Sequence, residues 1–289
     1  MQIGFRAHDL GKFSSVTQLA QRAAYFKKPV VLHLALGKVL IDAKDPSQYT
    51  SEYVQSIHDD LAKYQVSIAI LGSYFNPIHP NENIRALQID RFINTLKFNR
   101  EFGCRLVGTE TGSANPDCSY SLDTFSSKNL DIFYHTVEKL LDAAVKYDGI
   151  VGLEAVSRQH TICSIERMAA VMEKFPSEHL GVIYDPINLV PYTGISESDG
   201  SVLPKPSDEA QKAFIEKALD AFGNRIKVVH VKDYRLDENG LKIGDLTANT
   251  GVMNWSLISK ELDKYHITVP CTLEDLQPAT LPQTLASLA

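Results

Sequence analysis

Eight short runs of apolar, largely β-branched residues recur along the chain, and longer stretches of helical period separate them. That alternation limits the architecture more than any other feature. The runs are Ile3 to Phe5, Val30 to Leu36, Ser67 to Leu71, Arg105 to Val107, Ile150 to Leu153, Leu180 to Tyr184, Ile226 to Val231 and Val269 to Leu273. Between them, Ser51 to Tyr64 sets Val54, Ile57 and Leu61 on one helical face, and Asn83 to Phe102 spaces Ile84, Leu87, Phe92, Leu96 and Phe98 likewise. Leu130 to Lys146 and Ile165 to Phe175 follow the same rule. Ser207, ahead of Asp208 and Glu209, is placed to cap a helix running to Phe222.

Repeated β/α units over 289 residues, with no low-complexity linker, predict an α/β protein with one domain over residues 1–289. The expected form is a single (β/α)8 TIM barrel, which typically needs about 250 residues. A doubly wound open sheet would carry a Gly-rich phosphate turn after its first strand, and Gly4-Phe-Arg-Ala-His lacks that spacing. Pro191 to Pro206 and Leu236 to Asn254 are rich in turn residues and are expected as extended loops at the catalytic face.

The formal charge of −6, from 29 basic and 35 acidic residues, comes with no basic run, so nucleic acid is not an expected partner. The N-terminal residues lack a basic segment followed by an apolar stretch, and no window approaches 18 uncharged apolar residues. Neither signal peptide nor membrane span is expected, and a cytoplasmic location is. The four cysteines are scattered without a C-x-x-C pair and read as reduced thiols. Assembly into a homo-oligomer is left open.

Chemistry-bearing residues recur in one place, the carboxyl ends of the later strands. Gly152-Leu-Glu154 ends the fifth run, Val182-Ile-Tyr-Asp185 the sixth, Val228-Val-His230 lies at the end of the seventh, and Cys271-Thr-Leu-Glu274 closes the eighth. A charge at the end of an apolar strand is costly to bury unless it is paired or bound to a cation. A barrel brings successive strand ends together, so three carboxylates and an imidazole would converge and repel unless a divalent ion neutralised them. Such an oxygen-rich set favours Mn2+, Mg2+ or Co2+ over the ions that thiolate sites select.

These strand-end motifs, with Tyr184-Asp-Pro-Ile-Asn188, His230-Val-Lys-Asp233 and Leu273-Glu-Asp275, resemble the xylose isomerase-like barrel superfamily. The sugar phosphate isomerase/epimerase family is the closest match, including ketose 3-epimerases and inosose dehydratases. Gly72-Ser-Tyr-Phe-Asn-Pro-Ile-His-Pro80, Gly108-Thr-Glu-Thr-Gly112 and Gly251-Val-Met-Asn-Trp255 extend the resemblance over nearly the whole length. The last of these is similar to the family's turn into its final helix. The resemblance implies that Glu154, Asp185, His230 and Glu274 coordinate one divalent metal, with Mn2+ favoured and Mg2+, Co2+ or Zn2+ compatible. It further implies that Glu154 and Glu274 move protons at a carbon next to a metal-bound carbonyl of a small sugar or polyol, phosphorylated or not. An inosose-type dehydratase on the same scaffold is the alternative, and an endonuclease IV-like AP endonuclease a more distant one. The chain departs from the family at three positions. Asn188 stands where many relatives have His, His160 where epimerases have a second Glu, and Leu236 where they have Arg, with Arg235 beside it.

Further substrate-binding candidates are His8, Glu110, His160, Asn188, Lys232 and Arg235. His33, inside an apolar strand, reads as a satisfied core histidine before it reads as a site residue. His79 reads as a substrate contact, a ligand of a second metal or part of a Pro-rich turn. Trp255 is expected to pack its helix onto the barrel.

Overall fold

Eight parallel strands close on one another in the order β1-β10-β7-β6-β5-β4-β3-β2. The structure, a computed structural model, describes residues 2–277 and 279–287. The termini of the domain expected over 1–289, and residue 278, lie outside the described residues. The barrel strands are β1 (Ile3–Arg6), β2 (Val30–Leu34), β3 (Val66–Gly72), β4 (Leu106–Glu110), β5 (Ile150–Glu154), β6 (Leu180–Tyr184), β7 (Ile226–Val231) and β10 (Cys271–Leu273). Each matches one of the runs above, so the expected (β/α)8 barrel is the fold observed.

The outer layer holds α1 (Val16–Phe26), α3 (Ser51–Ala62), α4 (Glu82–Lys97), α5 (Ser127–Tyr147), α6 (Ile165–Lys174), α8 (Asp208–Phe222) and α9 (Trp255–Lys264). The short α2 (Leu36–Val39) and α7 (Pro186–Leu189) follow β2 and β6, and α10 (Leu281–Ser287) ends the described chain. Hydroxyl and amide side chains satisfy the free N–H groups at helix starts; Ser207 Oγ accepts from Ala210 N as expected. No helix among the described residues is long and apolar enough to cross a membrane. No disulfide joins the cysteines among the described residues.

The barrel interior is a packed core, and two glycines make room for it. Gly108 and Gly152 are register partners on β4 and β5. A Cβ at Gly108 would lie 2.5 Å from Ile70 Cδ1 and 2.7 Å from Ile183 Cδ1, so these two isoleucines fill the space a larger residue would occupy. Strand register shifts at Leu32/His33 in β2 and at Val182/Ile183 in β6. Such irregularities re-aim side chains, and these fall at His33 and just ahead of Asp185.

The segment from Leu236 to Asn254 corrects the loop expectation. It carries most of an antiparallel hairpin, β8 (Asp233–Leu236) and β9 (Lys242–Leu246), standing outside the barrel after β7. Asn239-Gly240 marks its turn, with Gly240 at φ 72°, a conformation glycine adopts without strain. Asp233 latches the hairpin base: its carboxylate accepts from the backbone N–H of Tyr234, Gly251 and Met253 at 2.8, 2.9 and 3.0 Å. Pro191 to Pro206 remains largely irregular, with a single bridge between Ser196 and Val202.

Candidate active site

The carboxyl ends of the strands open into a cavity of about 370 Å³, lined among others by Arg6, His8, His33, Lys38, Tyr74, Glu110, Glu154, His160, Asn188, Lys232, Asp245 and Glu274. Glu154 is the last residue of β5, Asp185 follows β6, His230 lies in β7, and Glu274 follows β10. All four are buried. Potential ligand atoms of Glu154, Asp185 and His230 lie within 4.8 Å of one another, as do those of His33, His230 and Glu274.

His230 is the hinge of the arrangement. Its Nδ1 stands 3.4 Å from Glu154 Oε1 and 3.3 Å from Glu274 Oε1, yet neither ring nitrogen makes a hydrogen bond. Buried polar atoms are normally satisfied. Three groups that face one another without bonding have the disposition expected of donors that share a cation. Two carboxylates, a third from Asp185 and an imidazole suit a hard or borderline divalent ion, so the residues present fit a metal.

Both oxygens of each glutamate are also held by other donors. Asn188 Nδ2 donates to Glu154 Oε1 at 2.7 Å and the Tyr74 hydroxyl to Glu154 Oε2 at 3.1 Å. His33 Nδ1 lies 3.0 Å from Glu274 Oε1, and Arg6 Nη1 donates to Glu274 Oε2 at 3.3 Å. His33 also stacks on His230 with ring centroids 5.0 Å apart. Asp185 Oδ1 accepts from Asn188 N at 2.9 Å, capping α7 and fixing the carboxylate. Lys232 Nζ reaches Asp185 Oδ2 at 3.0 Å, Asp245 Oδ1 at 3.1 Å and Glu274 Oε2 at 3.9 Å. The indole of Trp255, which packs α9 as expected, donates to Lys232 O at 2.8 Å and fixes that residue from behind.

Charge sets the protonation states. Burial alone would raise the pKa values of Glu154 and Glu274, but His230 nearby holds both below the ordinary carboxylate range. Burial and the neighbouring glutamates push Asp185 up to about 6 despite Lys232. Burial disfavours charge on His230, but Glu274 and Glu154 outweigh it and raise the imidazole to about 9. Burial, joined by the Glu154 charge, raises Glu110 to about 7. His160, 3.8 Å from Glu110 through Nε2, is lowered to about 4 by burial. His8 is lowered to about 4 by burial and by Arg6 and Lys38.

Of the substrate-binding candidates, His8, Glu110, His160, Asn188 and Lys232 line this cavity. Arg235 does not: it is exposed on β8, opposite Ile243. His79 is buried away from the cavity in a turn, where its Nδ1 accepts from Asn81 N. Tyr74, Arg6, Lys38 and Asp245 line the site without having been legible as site residues. Tyr74 had the best signal, two residues past the end of β3.

A family model described as xylose isomerase-like TIM barrel matches residues 37–288. No curated protein sequence matches the chain. Solved structures with a similar fold include the probable 3-DHS dehydratase of petrobactin synthesis from Bacillus anthracis (12% identity, covering 100% of this chain and 98% of that one, TM-score 0.72). They also include a 3-keto-D-glucoside 4-epimerase from E. coli (13%, 100% and 98%, 0.69) and the IOLI protein with a bound zinc atom (14%, 100% and 96%, 0.66).

Proposed function

The chain belongs to the xylose isomerase-like TIM barrel family, and we propose that within it this protein is a metal-dependent isomerase or epimerase of a small sugar or polyol. The observation that carries the proposal is His230, buried without a hydrogen bond between the carboxylates of Glu154 and Glu274. Glu154, Asp185, His230 and Glu274 would hold one divalent ion, for which Mn2+ is the reading that the oxygen-rich set favours; zinc in a similarly folded protein supports an ion there. When bound, the ion supplies Lewis acidity that makes a C–H next to a carbonyl acidic.

The chain's own residues supply the proton chemistry. Glu154 and Glu274 rise from β5 and β10, with β6 and β7 between them. A substrate carbon lying between them meets a carboxylate on either side. One removes the proton and the other returns it, which inverts the centre. Their lowered pKa values keep both ionised at neutral pH, so either can act as base at once, and the opposite carboxylate must first take up a solvent proton before it returns one to the carbon. Asn188, Tyr74, His33 and Arg6 fix the direction of these carboxylates before substrate arrives.

A second reading, dehydration, has its own support. Glu110, pushed up to about 7, keeps a proton on a large share of molecules near neutrality. Lining the same cavity, it can hand that proton to a departing hydroxyl. Incubating metal-loaded protein with ketoses and inososes in D2O separates the readings. Interconversion with solvent deuterium at the inverted carbon supports epimerisation; loss of water supports dehydration. If neither occurs and no C–H exchanges, both fail.

A further inference from the structure

A second cavity, of about 330 Å³, opens beside the first and shares Val156, Gln159, Asn188 and Asp245 with it. Three loops meet there, bringing Tyr120 from the β4–α5 loop, Arg158 from the β5–α6 loop and Tyr192 from beyond α7. The Arg158 guanidinium lies over the ring of Tyr192 at 3.8 Å and over that of Tyr120 at 4.7 Å. Arg158 holds φ at 66°, a left-handed conformation unusual for a non-glycine residue. Such strain persists only where neighbours enforce it. Here Ser157 does so, with its N–H donating to Asn188 O at 2.7 Å and its hydroxyl to Val190 O at 2.7 Å.

What the tyrosines leave open is the edge of the guanidinium. No hydrogen bond or ion pair among the described residues uses its N–H groups, whereas Arg6, Arg105 and Arg225 spend theirs on acceptors of the protein. A stacked, oriented arginine with a free fork matches a carboxylate or phosphate. Lys242 strengthens the local field. Its ammonium, on β9, donates to Ser157 Oγ, Ile187 O and Val190 O at 3.0, 2.9 and 2.9 Å. Among the described residues the only carboxylate lining this cavity is Asp245, which pairs with Lys232. The cavity is thus cationic in a protein of net charge −6.

We propose that this cavity is an oxyanion subsite, in which Arg158 binds a carboxylate or phosphate carried by the substrate whose reacting carbon lies between Glu154 and Glu274. The proposal deepens the functional reading above and rests on it for the position of the reacting end. Asn188 links the two cavities, since it lines both and donates to Glu154.

Three probes on one scaffold test it: glucose, glucose 6-phosphate and glucuronate, titrated calorimetrically into metal-loaded protein. At least one anionic sugar should bind about tenfold or more tightly than glucose, the scale of a charge-assisted contact. Glucose 6-phosphate as the tighter ligand identifies phosphate, and glucuronate identifies carboxylate. Arg158→Gln should abolish the preference, and Arg158→Lys, which keeps charge but not the fork, should restore only part of it. Lys139→Gln, on the exposed face of α5, should leave it intact. Manganese affinity of Arg158→Gln, measured first, should equal that of the parent and reports that the fold is retained. No anionic preference, or a preference that survives Arg158→Gln, overturns the subsite. Failure of the parent to bind metal overturns the functional reading instead, and the anionic preference can then still be read in metal-free protein.

Discussion

His230 Nδ1 approaches Glu274 Oε1 to 3.3 Å without donating a hydrogen bond to it. Two buried groups of opposite preference at that distance would normally turn to bond, because an unmet buried donor or acceptor costs about 1–3 kcal/mol. Here each is held by something else: Glu274 by His33, Arg6 and Lys232, and His230 by its place in β7. The polypeptide keeps both atoms aimed at a shared point, and that is the physical basis of the proposed metal centre.

Replacing either proton-moving carboxylate should stop turnover. Glu154→Gln and Glu274→Gln are each expected to lower kcat by roughly 10²–10⁴-fold, the usual scale of a lost general acid or base. Steady-state kinetics on the substrate found in the ketose and inosose panel checks this, with metal content measured alongside because both residues are also proposed ligands. Retained turnover in either variant would remove that residue from the acid/base role.

His33 is expected to act through Glu274. Its ring is buried and neutral, its pKa lowered by burial, so its Nδ1–H can donate to Glu274 Oε1. His33→Phe should weaken metal affinity by about 10–100-fold, the scale of a lost partner to a ligand. Calorimetric manganese titration reads this directly, and unchanged affinity would make His33 a core residue only.

Asn188 Nδ2 donates to Glu154 Oε1 at 2.7 Å. Asn188→Ala removes that donor and should lower kcat by roughly tenfold, as expected when a charge-assisted hydrogen bond of about 1.5–3 kcal/mol is lost. A change confined to KM would show that Asn188 contacts substrate without orienting Glu154.

Lys242 links stability to pH. Burial lowers its pKa from 10.5 to about 8, so between these values the unfolded chain binds the proton that the folded chain has released. Stability should therefore rise with pH through that window, and below about 8 the fold carries the cost of the buried charge. Urea unfolding of the protein and of Lys242→Met at pH 7.5 and pH 10 isolates the term, with an expected gain of roughly 1–3 kcal/mol specific to the parent. Parallel pH dependence in both proteins would contradict it.

Gly251 permits the latch at the hairpin base. A Cβ there would lie 2.1 Å from Tyr234 O and 2.4 Å from Asp233 Oδ1. Gly251→Ala should cost about 1–3 kcal/mol, as overpacking does, read as a lowered urea midpoint at unchanged slope.

The barrel and the four convergent residues were legible in the sequence because each rests on a local anomaly. Apolar runs of strand length alternate with helical period, and a charge at the end of such a run has few cheap explanations. Of what surrounds the four, His8, Glu110, His160, Asn188 and Lys232 were legible from their strand-end places, and the rest was not, because tertiary closure places it. Tyr74, Arg6 and Asp245 reach Glu154, Glu274 and Lys232 from three different loops or strands. His33 owes its position to a register shift that no local pattern announces. Arg235, a candidate from its position beside the departure at Leu236, is instead exposed on β8. The first outer helix gives a weaker sequence signal because its buried stripe, Leu19, Ala20, Ala23 and Ala24, is built mostly of small alanines.

The most direct test is anomalous diffraction from crystals grown with manganese. The expected result is one ion per chain, with oxygen or nitrogen atoms of Glu154, Asp185, His230 and Glu274 at coordination distances of about 2.0–2.6 Å. No anomalous peak among these residues, or an ion held elsewhere with His230 still unliganded between the two glutamates, would contradict it.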